Sequence, residues 1–277
     1  MKRTFYFLLA SLVILASCST PKLAIPEQFS SVSEKMHIKG LNGWMINQKL
    51  TFGTYKTSKV KRGWNTKTTR QDKNSDVTSE ERIMKLFNVT NTNTTSNQKQ
   101  KYQYSIEDGK QVAEVFCSER MSSEELQVFT NNRWLGDFSQ TKNYQYSFTA
   151  AILPMSIKEE PWQLVVYNNY DKKKDTAKKW FDLPYVEEEG VATNGKDTIQ
   201  IKPLRVKNIT SKDGKERQFP VKILGGYELR LDDGVIGVID SMGHALWIYK
   251  DLDEPTKLIV ASICSALMLR KIQDVNG

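Results

Sequence analysis

Leu258-Ile259-Val260-Ala261-Ser262-Ile263-Cys264-Ser265-Ala266-Leu267-Met268-Leu269 is an uncharged run with no polar face. A helix that is apolar on every side is buried on every side or lies in lipid. At ~1.5 Å per residue such a run reaches only about 18 Å, well short of a hydrocarbon core of roughly 30 Å. Burial inside the protein is therefore the expected state. The flanks support a helix over 255–272. Asp253 or Glu254 can cap it, and Pro255 fits the first turn, where its missing N–H costs nothing. Arg270 and Lys271 stand at the far end, where cations oppose the helix dipole. Ser262 and Ser265 can return their hydroxyls to carbonyls one turn back.

The chain upstream reads as strands. Leu50 to Tyr55 alternates, and Tyr102 to Ile106 leads through Glu107-Asp108-Gly109-Lys110 into Val112 to Cys117. Asp-Gly supplies the positive φ of a tight hairpin turn. Leu126 to Thr130 and Arg133 to Phe138 flank Asn131-Asn132 as a second hairpin, and Tyr144 to Thr149 and Trp162 to Asn168 follow. The last third gives Thr198 to Ile201, Leu204 to Ile209, Val221 to Leu224, Tyr227 to Leu231, Val235 to Ile239 and Ala245 to Tyr249. Gly225-Gly226, Asp232-Asp233-Gly234 and Ser241-Met242-Gly243 separate them as turns. The polar stretches Asn65 to Ser79 and Asn88 to Lys101 interrupt the strands as loops or as a long polar hairpin tip, and Thr78 to Phe87 reads as a short helix or a strand.

Many short strands ending in one wholly apolar helix predict a mainly β protein: an antiparallel β-barrel wrapped around a buried hydrophobic C-terminal helix. The alternative is a β-sandwich with the helix packed outside. A barrel filled by its own helix has no lumen left for a ligand, so binding would fall to the outer surface or the loops. The region Tyr227 to Arg270, with Gly-Val-Ile-Gly-Val-Ile-Asp at 234–240 and Leu246-Trp247-Ile248-Tyr249 before the helix, resembles the tubby C-terminal and scramblase-like superfamily in its order of elements. That resemblance implies a barrel enclosing a helix. It carries no ligand residue over, because no position matches the phosphoinositide site of eukaryotic tubby domains.

At the other end, Met1-Lys2-Arg3-Thr4 is a basic start, Phe5 to Leu15 an apolar run too short to span a bilayer, and Leu15-Ala16-Ser17-Cys18 resembles the lipobox of bacterial lipoproteins. The resemblance implies a signal peptide over 1–17, cleavage before Cys18, and diacylglyceryl and acyl groups on that residue. Two or three acyl chains anchor stably, at about 0.8 kcal/mol per buried CH₂. Ser19 in place of aspartate points to the outer membrane, and the absence of acids in Ser19-Thr20-Pro21-Lys22 points to its periplasmic face. Residues 18–35 are expected to be a flexible tether and 36–277 one β-rich domain.

The net charge is +8, or +6 once Lys2 and Arg3 leave with the leader. In the envelope such an excess meets anionic lipid headgroups or phosphorylated glycolipid rather than nucleic acid, or serves solubility alone, the reading favoured by the acidic residues interspersed along the chain. Two basic clusters lie beside aromatics. The first is Lys172, Lys173, Lys174, Lys178 and Lys179 with Trp180 and Phe181. The second is Lys56, Lys59, Lys61 and Arg62 ahead of Trp64. Each reads either as a surface for an anionic lipid or glycan, or as a solvated charge run with the aromatics turned inward.

No catalytic constellation is marked. His37 and His244 are the only histidines, which excludes a His-rich metal site, and no cofactor motif is present. Asp232-Asp233-Gly234 lacks calcium-loop spacing and reads as a turn. Asp240, Ser241 and His244 crowd one turn, whereas a triad draws its members from separate elements. Glu187-Glu188-Glu189 reads as a solvated loop, so a carboxylate-pair hydrolase has no marked pair to use. Cys117 and Cys264 sit in apolar surroundings and read as buried free thiols. Asp175-Thr176-Ala177, Asp197-Thr198-Ile199 and Asp240-Ser241-Met242 resemble the Asp-Ser/Thr-aliphatic O-glycan acceptor of exported Bacteroidota proteins. The protein is thus expected to be a lipid-anchored envelope β module that binds a lipid, glycan or protein partner. A hydrolase and a structural assembly lipoprotein are the alternatives.

Overall fold

Alternation decides which side of the wall each residue takes. Tyr102, Tyr104 and Ile106 are buried while Lys101, Gln103 and Glu107 between them are exposed, the period-2 signature of a half-buried strand. The computed structural model describes residues 23, 25–42, 46–63, 66–72, 89–130, 138–155, 160–171, 187–210 and 216–270. The first elements are a short helix α1 (Glu27–Val32) and strands β1 (Ser33–His37), β2 (Thr51–Phe52), β3 (Tyr55–Thr57), β4 (Lys61–Arg62) and β5 (Thr66–Asp72). The long strands β6 (Val89–Glu107), β7 (Val112–Thr130), β8 (Phe138–Pro154) and β9 (Trp162–Asp171) follow. Then come β10 (Glu187–Thr193), β11 (Thr198–Thr210), β12 (Glu216–Leu231), β13 (Gly234–Asp240), β14 (Ala245–Tyr249) and helix α2 (Glu254–Met268).

From β6 to β14 each strand pairs antiparallel with the next, and β1 returns to pair with β14. On the other side β6 takes β3, β4 and β5 along its length, and β3 carries β2. The two ends of this path meet at one bridge, Lys39 to Thr51, with N–H···O bonds of 2.9 and 3.1 Å. The result is a nearly closed antiparallel barrel of twelve strands.

The helix lies buried against the inner face of the barrel. Every residue from Leu258 to Leu267 is buried, with Leu258, Val260, Ala261, Ile263 and Cys264 at 0 % exposure. Two parts of the wall touch it: a Cβ at Gly237 of β13 would stand 3.2 Å from Val260 Cγ1, so glycine gives the helix room there, and Tyr102 and Tyr104 of β6 bond to its last turns. This is the barrel-around-helix arrangement, and the sandwich alternative does not apply. Asp253 caps the start, its Oδ1 accepting from Thr256 N at 2.6 Å, with Pro255 in the first turn.

Several sequence expectations need correction. The helix ends at Met268, not near residue 272, and Leu269 closes it in αR conformation. The stretch expected to be a tether to residue 35 already holds α1 and β1. Gly225-Gly226 is not a turn but lies inside β12, which runs unbroken through both expected strands. A Cβ at Gly226 would stand 1.8 Å from the Ile239 carbonyl oxygen, so glycine serves a close strand approach. Likewise β11 is one strand with a bulge at Leu204/Arg205. The polar stretches are wall rather than loop: β5 pairs with 93–99 of β6, and β6 pairs with β7 from Val89 to Glu107. Backbone hydrogen bonds hold them, on both sides of β6 and along one side of β5, whatever their side-chain polarity. The possible helix at 78–87, the second hairpin's connection and the expected strand residues Arg133 to Asp137 lie outside the described residues. The Asp-Gly turns are as expected. Gly109 has φ +94°, and Asp232 and Asp233 have φ of 47° and 62°, as the two central residues of a I′ hairpin require.

Candidate functional site

An apolar helix inside a barrel still has polar ends, and its carbonyls need partners. Along α2 the partners are neutral. Ser262 Oγ donates to Leu258 O at 2.7 Å, as expected, whereas Ser265 reaches three residues back, to Ser262 O at 3.0 Å. Tyr104 OH meets Ser265 Oγ at 2.7 Å, and Tyr102 OH donates to Ala266 O at 2.8 Å. Burial holds both phenols well above the ordinary tyrosine value. It does the same to the thiols of Cys117 and Cys264, which are free and buried. These groups stay protonated and unreactive at neutral pH.

At the C-terminal end of α2 the interior becomes charged. Arg270 leaves the helix axis and is buried, its side chain 2 % exposed. Its Nη1 donates to Glu188 Oε1 at 2.7 Å and its Nη2 to the Tyr227 hydroxyl, which in turn donates to Glu188 Oε1 at 3.0 Å. The guanidinium also lies 5.4 Å from the Phe148 ring centre and 5.7 Å from that of Tyr146. Burial alone would depress the Arg270 pKa, but Tyr227, Tyr146 and Glu188 hold it well above its ordinary value. Glu187-Glu188-Glu189 is therefore not a solvated loop. It opens β10, and alternation turns Glu188 inward while its neighbour Glu189 is exposed.

A second arginine reaches the same helix end. Arg62 is half-buried; its Nη2 donates to Leu269 O at 2.9 Å and to Gln48 Oε1 at 2.9 Å, and its guanidinium lies 4.7 Å over the Tyr102 ring. Its Nε and Nη1 are buried with no hydrogen-bond partner. Among the described residues no carboxylate forms an ion pair with it.

Arg62 also lines an open groove of about 510 Å³ between β4, β6 and β7, together with Lys61, Gly63, Lys101, Tyr102, Gln103, Phe116, Cys117 and Ser118. No acidic residue lines it. Its outer neighbours follow from register. Lys61 lies across from Gln103 and then Phe116, which is 42 % exposed, and Lys99 lies across from Arg120. Lys61, Lys99, Lys101 and Arg120 are exposed and form no ion pair among the described residues. The face is thus basic, with an aromatic at its centre.

The second basic cluster of the sequence is partly gathered here. Lys61 and Arg62 line the groove, while Lys56 and Lys59 are exposed beside it in sequence. The first cluster, Lys172 to Lys174, Lys178, Lys179 and Trp180, lies outside the described residues, as do Cys18, Trp64 and Asp175-Thr176-Ala177. Thr198 is exposed, whereas Ser241 sits half-buried in its turn. Asp240 Oδ1 accepts from Met242 N at 3.1 Å and Gly243 N at 2.7 Å, which explains that acid as a turn former; His244 is exposed. Sequence reasoning missed Lys99, Lys101, Arg120 and Phe116, because they join Lys61 only through strand register. Among the described residues no helix is long and apolar enough to cross a membrane. No family model, curated protein or solved structure matches the chain.

Proposed function

We propose that the protein is a lipid-anchored module of the bacterial envelope that binds an anionic lipid or glycan surface through the outer wall of its barrel. In this reading acyl chains on Cys18 hold it at the outer membrane, facing the periplasm, and it performs no catalysis. The observation that carries the binding reading is the face around Phe116, with Lys61, Lys99, Lys101 and Arg120 unpaired among the described residues. Exposed cations attract an anionic surface by about 1 kcal/mol each, and an aromatic among them suits an interface that is apolar on one side and wet on the other. The occupied lumen directs binding outward. Three buried carboxylates have partners within the fold: Glu188 neutralises Arg270, Glu119 accepts from the Tyr146 hydroxyl at 3.2 Å, and Asp240 shapes a turn.

Co-sedimentation with phosphatidylglycerol vesicles tests the reading. Binding should weaken with salt, as expected for screened surface charge. It should fall about tenfold or more in Lys99→Glu/Arg120→Glu, since reversing two cations removes more than the ~1.4 kcal/mol that tenfold represents. Undiminished binding in that variant, with loss in Lys172→Glu/Lys173→Glu/Lys174→Glu, would move the site to the other cluster. Retention in both would end the electrostatic reading. The anchor is checked separately: palmitate labelling and membrane fractionation should both be lost in Cys18→Ala.

A further inference from the structure

We infer that the groove between β4, β6 and β7 is a binding site for a phosphate monoester, with Arg62 as its floor. The inference rests on the reading of this face as an anion-binding surface and gives it a specific pocket. Arg62 is a guanidinium whose Nη2 alone is hydrogen-bonded, while Nε and Nη1 are buried without partners. Buried charged donors left unpaired are costly, and Arg62 leaves two where Arg270 and Arg230 each leave only Nε. The helix end supplies Arg62 with carbonyl dipoles but no full negative charge. Arg270, at the same helix end, has its carboxylate in Glu188. Arg62 has none among the described residues, and it is itself part of the groove lining, so a ligand there that draws its guanidinium outward would supply the missing charge.

The charge count sets the ligand class. Lys61, Arg62 and Lys101 give the groove three cations and its lining has no acid, so it suits a doubly charged oxyanion better than a single carboxylate. Its volume of about 510 Å³ is that of a small-molecule site, larger than a bare phosphate needs. Phe116 offers an apolar flank for the rest of the molecule, and Gln103 and Ser118 offer polar contacts. A phosphorylated sugar fits this lining, whether free, on a glycan or on a lipid headgroup. The floor is also tied to the helix: Arg62 holds Leu269 O and Tyr102 holds Ala266 O. A bound anion that draws Arg62 toward the groove would loosen the last turn of α2, so occupancy should be readable in that turn.

The test is calorimetric titration of the full chain in detergent with glucose 6-phosphate, and with glucose as the uncharged probe. Saturable binding of the phosphate ester alone is expected, weakened about ten- to hundredfold in Arg62→Gln, since a charge-assisted hydrogen bond is being removed. Arg62→Lys, which keeps the charge but not the planar donors, should recover part of the loss. If Arg62→Gln does not fold, Lys61→Gln/Lys101→Gln on the exposed rim serves instead and should weaken binding about tenfold. Faster amide exchange at Leu269 and Arg270 on binding is the readout that simple surface attraction would not produce. Two vesicle arms separate the sources. Competition between glucose 6-phosphate and phosphatidic acid vesicles assigns a lipid headgroup, and sugar-phosphate binding without competition assigns a free or glycan-borne phosphate. Equal affinity for glucose and its phosphate, or no effect of any groove variant, overturns the site. If phosphatidylglycerol vesicles still bind in that case, the basic face stands without the pocket. If they do not, both readings fall.

Discussion

Two arginines lie at the C-terminal end of α2, Arg270 just beyond the helix itself and Arg62 reaching it from β4 of the wall, and their surroundings differ. Arg270 is enclosed: Glu188, Tyr227 and two further aromatic rings surround its guanidinium, and its side chain is 2 % exposed. Arg62 shares the helix carbonyl side of that arrangement but faces a groove, and two of its nitrogens lack partners. One cation was brought in with its counter-ion from within the chain; the other was brought in without one. The difference separates a buried charge that closes a fold from one available to something outside it.

The largest break should come at Arg270. Removing one member of a buried ion pair leaves the other charge uncompensated, which costs about 3–5 kcal/mol. Arg270→Ala or Glu188→Ala should therefore lower unfolding free energy by that amount in urea titrations. Arg270→Met/Glu188→Leu should recover most of it, because replacing both partners by apolar groups of similar size is often neutral. A double variant as unstable as either single one would mean that the pair contributes more than mutual neutralisation. Arg62→Met removes no ion-pair partner and should cost distinctly less.

How far these two arginines could be foreseen depends on strand phase. The buried helix was legible because twelve uncharged residues admit no polar face at any register. Turns were legible where Asp-Gly fixes a positive φ. Glu188 was not, since three identical residues hide which of them faces inward; pairing with β9 and β11 decides it. Arg62 was not, because it follows an exposed Lys61 and differs from it only in which face of β4 it takes. Similarly, Gln98 and Gln100 are buried in a stretch whose Asn, Thr, Gln and Lys show no hydrophobic period. Where both faces of a strand are polar, composition carries no phase, and only the partner strand supplies it.

A smaller effect, graded by pH, should come from the buried phenols and thiols that surround both arginines. Burial raises the pKa values of Cys117, Cys264, Tyr102, Tyr104 and Tyr227 above their ordinary values. The folded chain then keeps protons that the unfolded chain gives up. That stabilisation is complete below the unfolded values, about 8.5 for thiols and about 10 for phenols, and is lost as pH rises from there toward the folded values. Stability should be level near neutrality and fall above about pH 9, by about 1.4 kcal/mol per pH unit for each group titrating. Urea titrations across alkaline pH check this. The slope should be shallower in Tyr104→Phe, and a profile level to pH 11 would refute the buried-phenol account.

The smallest effect lies at the opposite end of α2, and it separates stability from binding. Asp253 caps the helix start through Thr256 N, far along the chain from both arginines. Losing such a cap costs about 1 kcal/mol. Asp253→Ala should lower stability by roughly that amount and leave glucose 6-phosphate titrations unchanged, because neither Asp253 nor Thr256 lines the groove. Arg62→Gln should weaken the same titrations whatever its stability cost. If Asp253→Ala weakened them equally, the groove would be reporting the general firmness of α2 rather than an open place at Arg62. The distinction between the two arginines would then lose its functional meaning, while their different surroundings inside the barrel would remain.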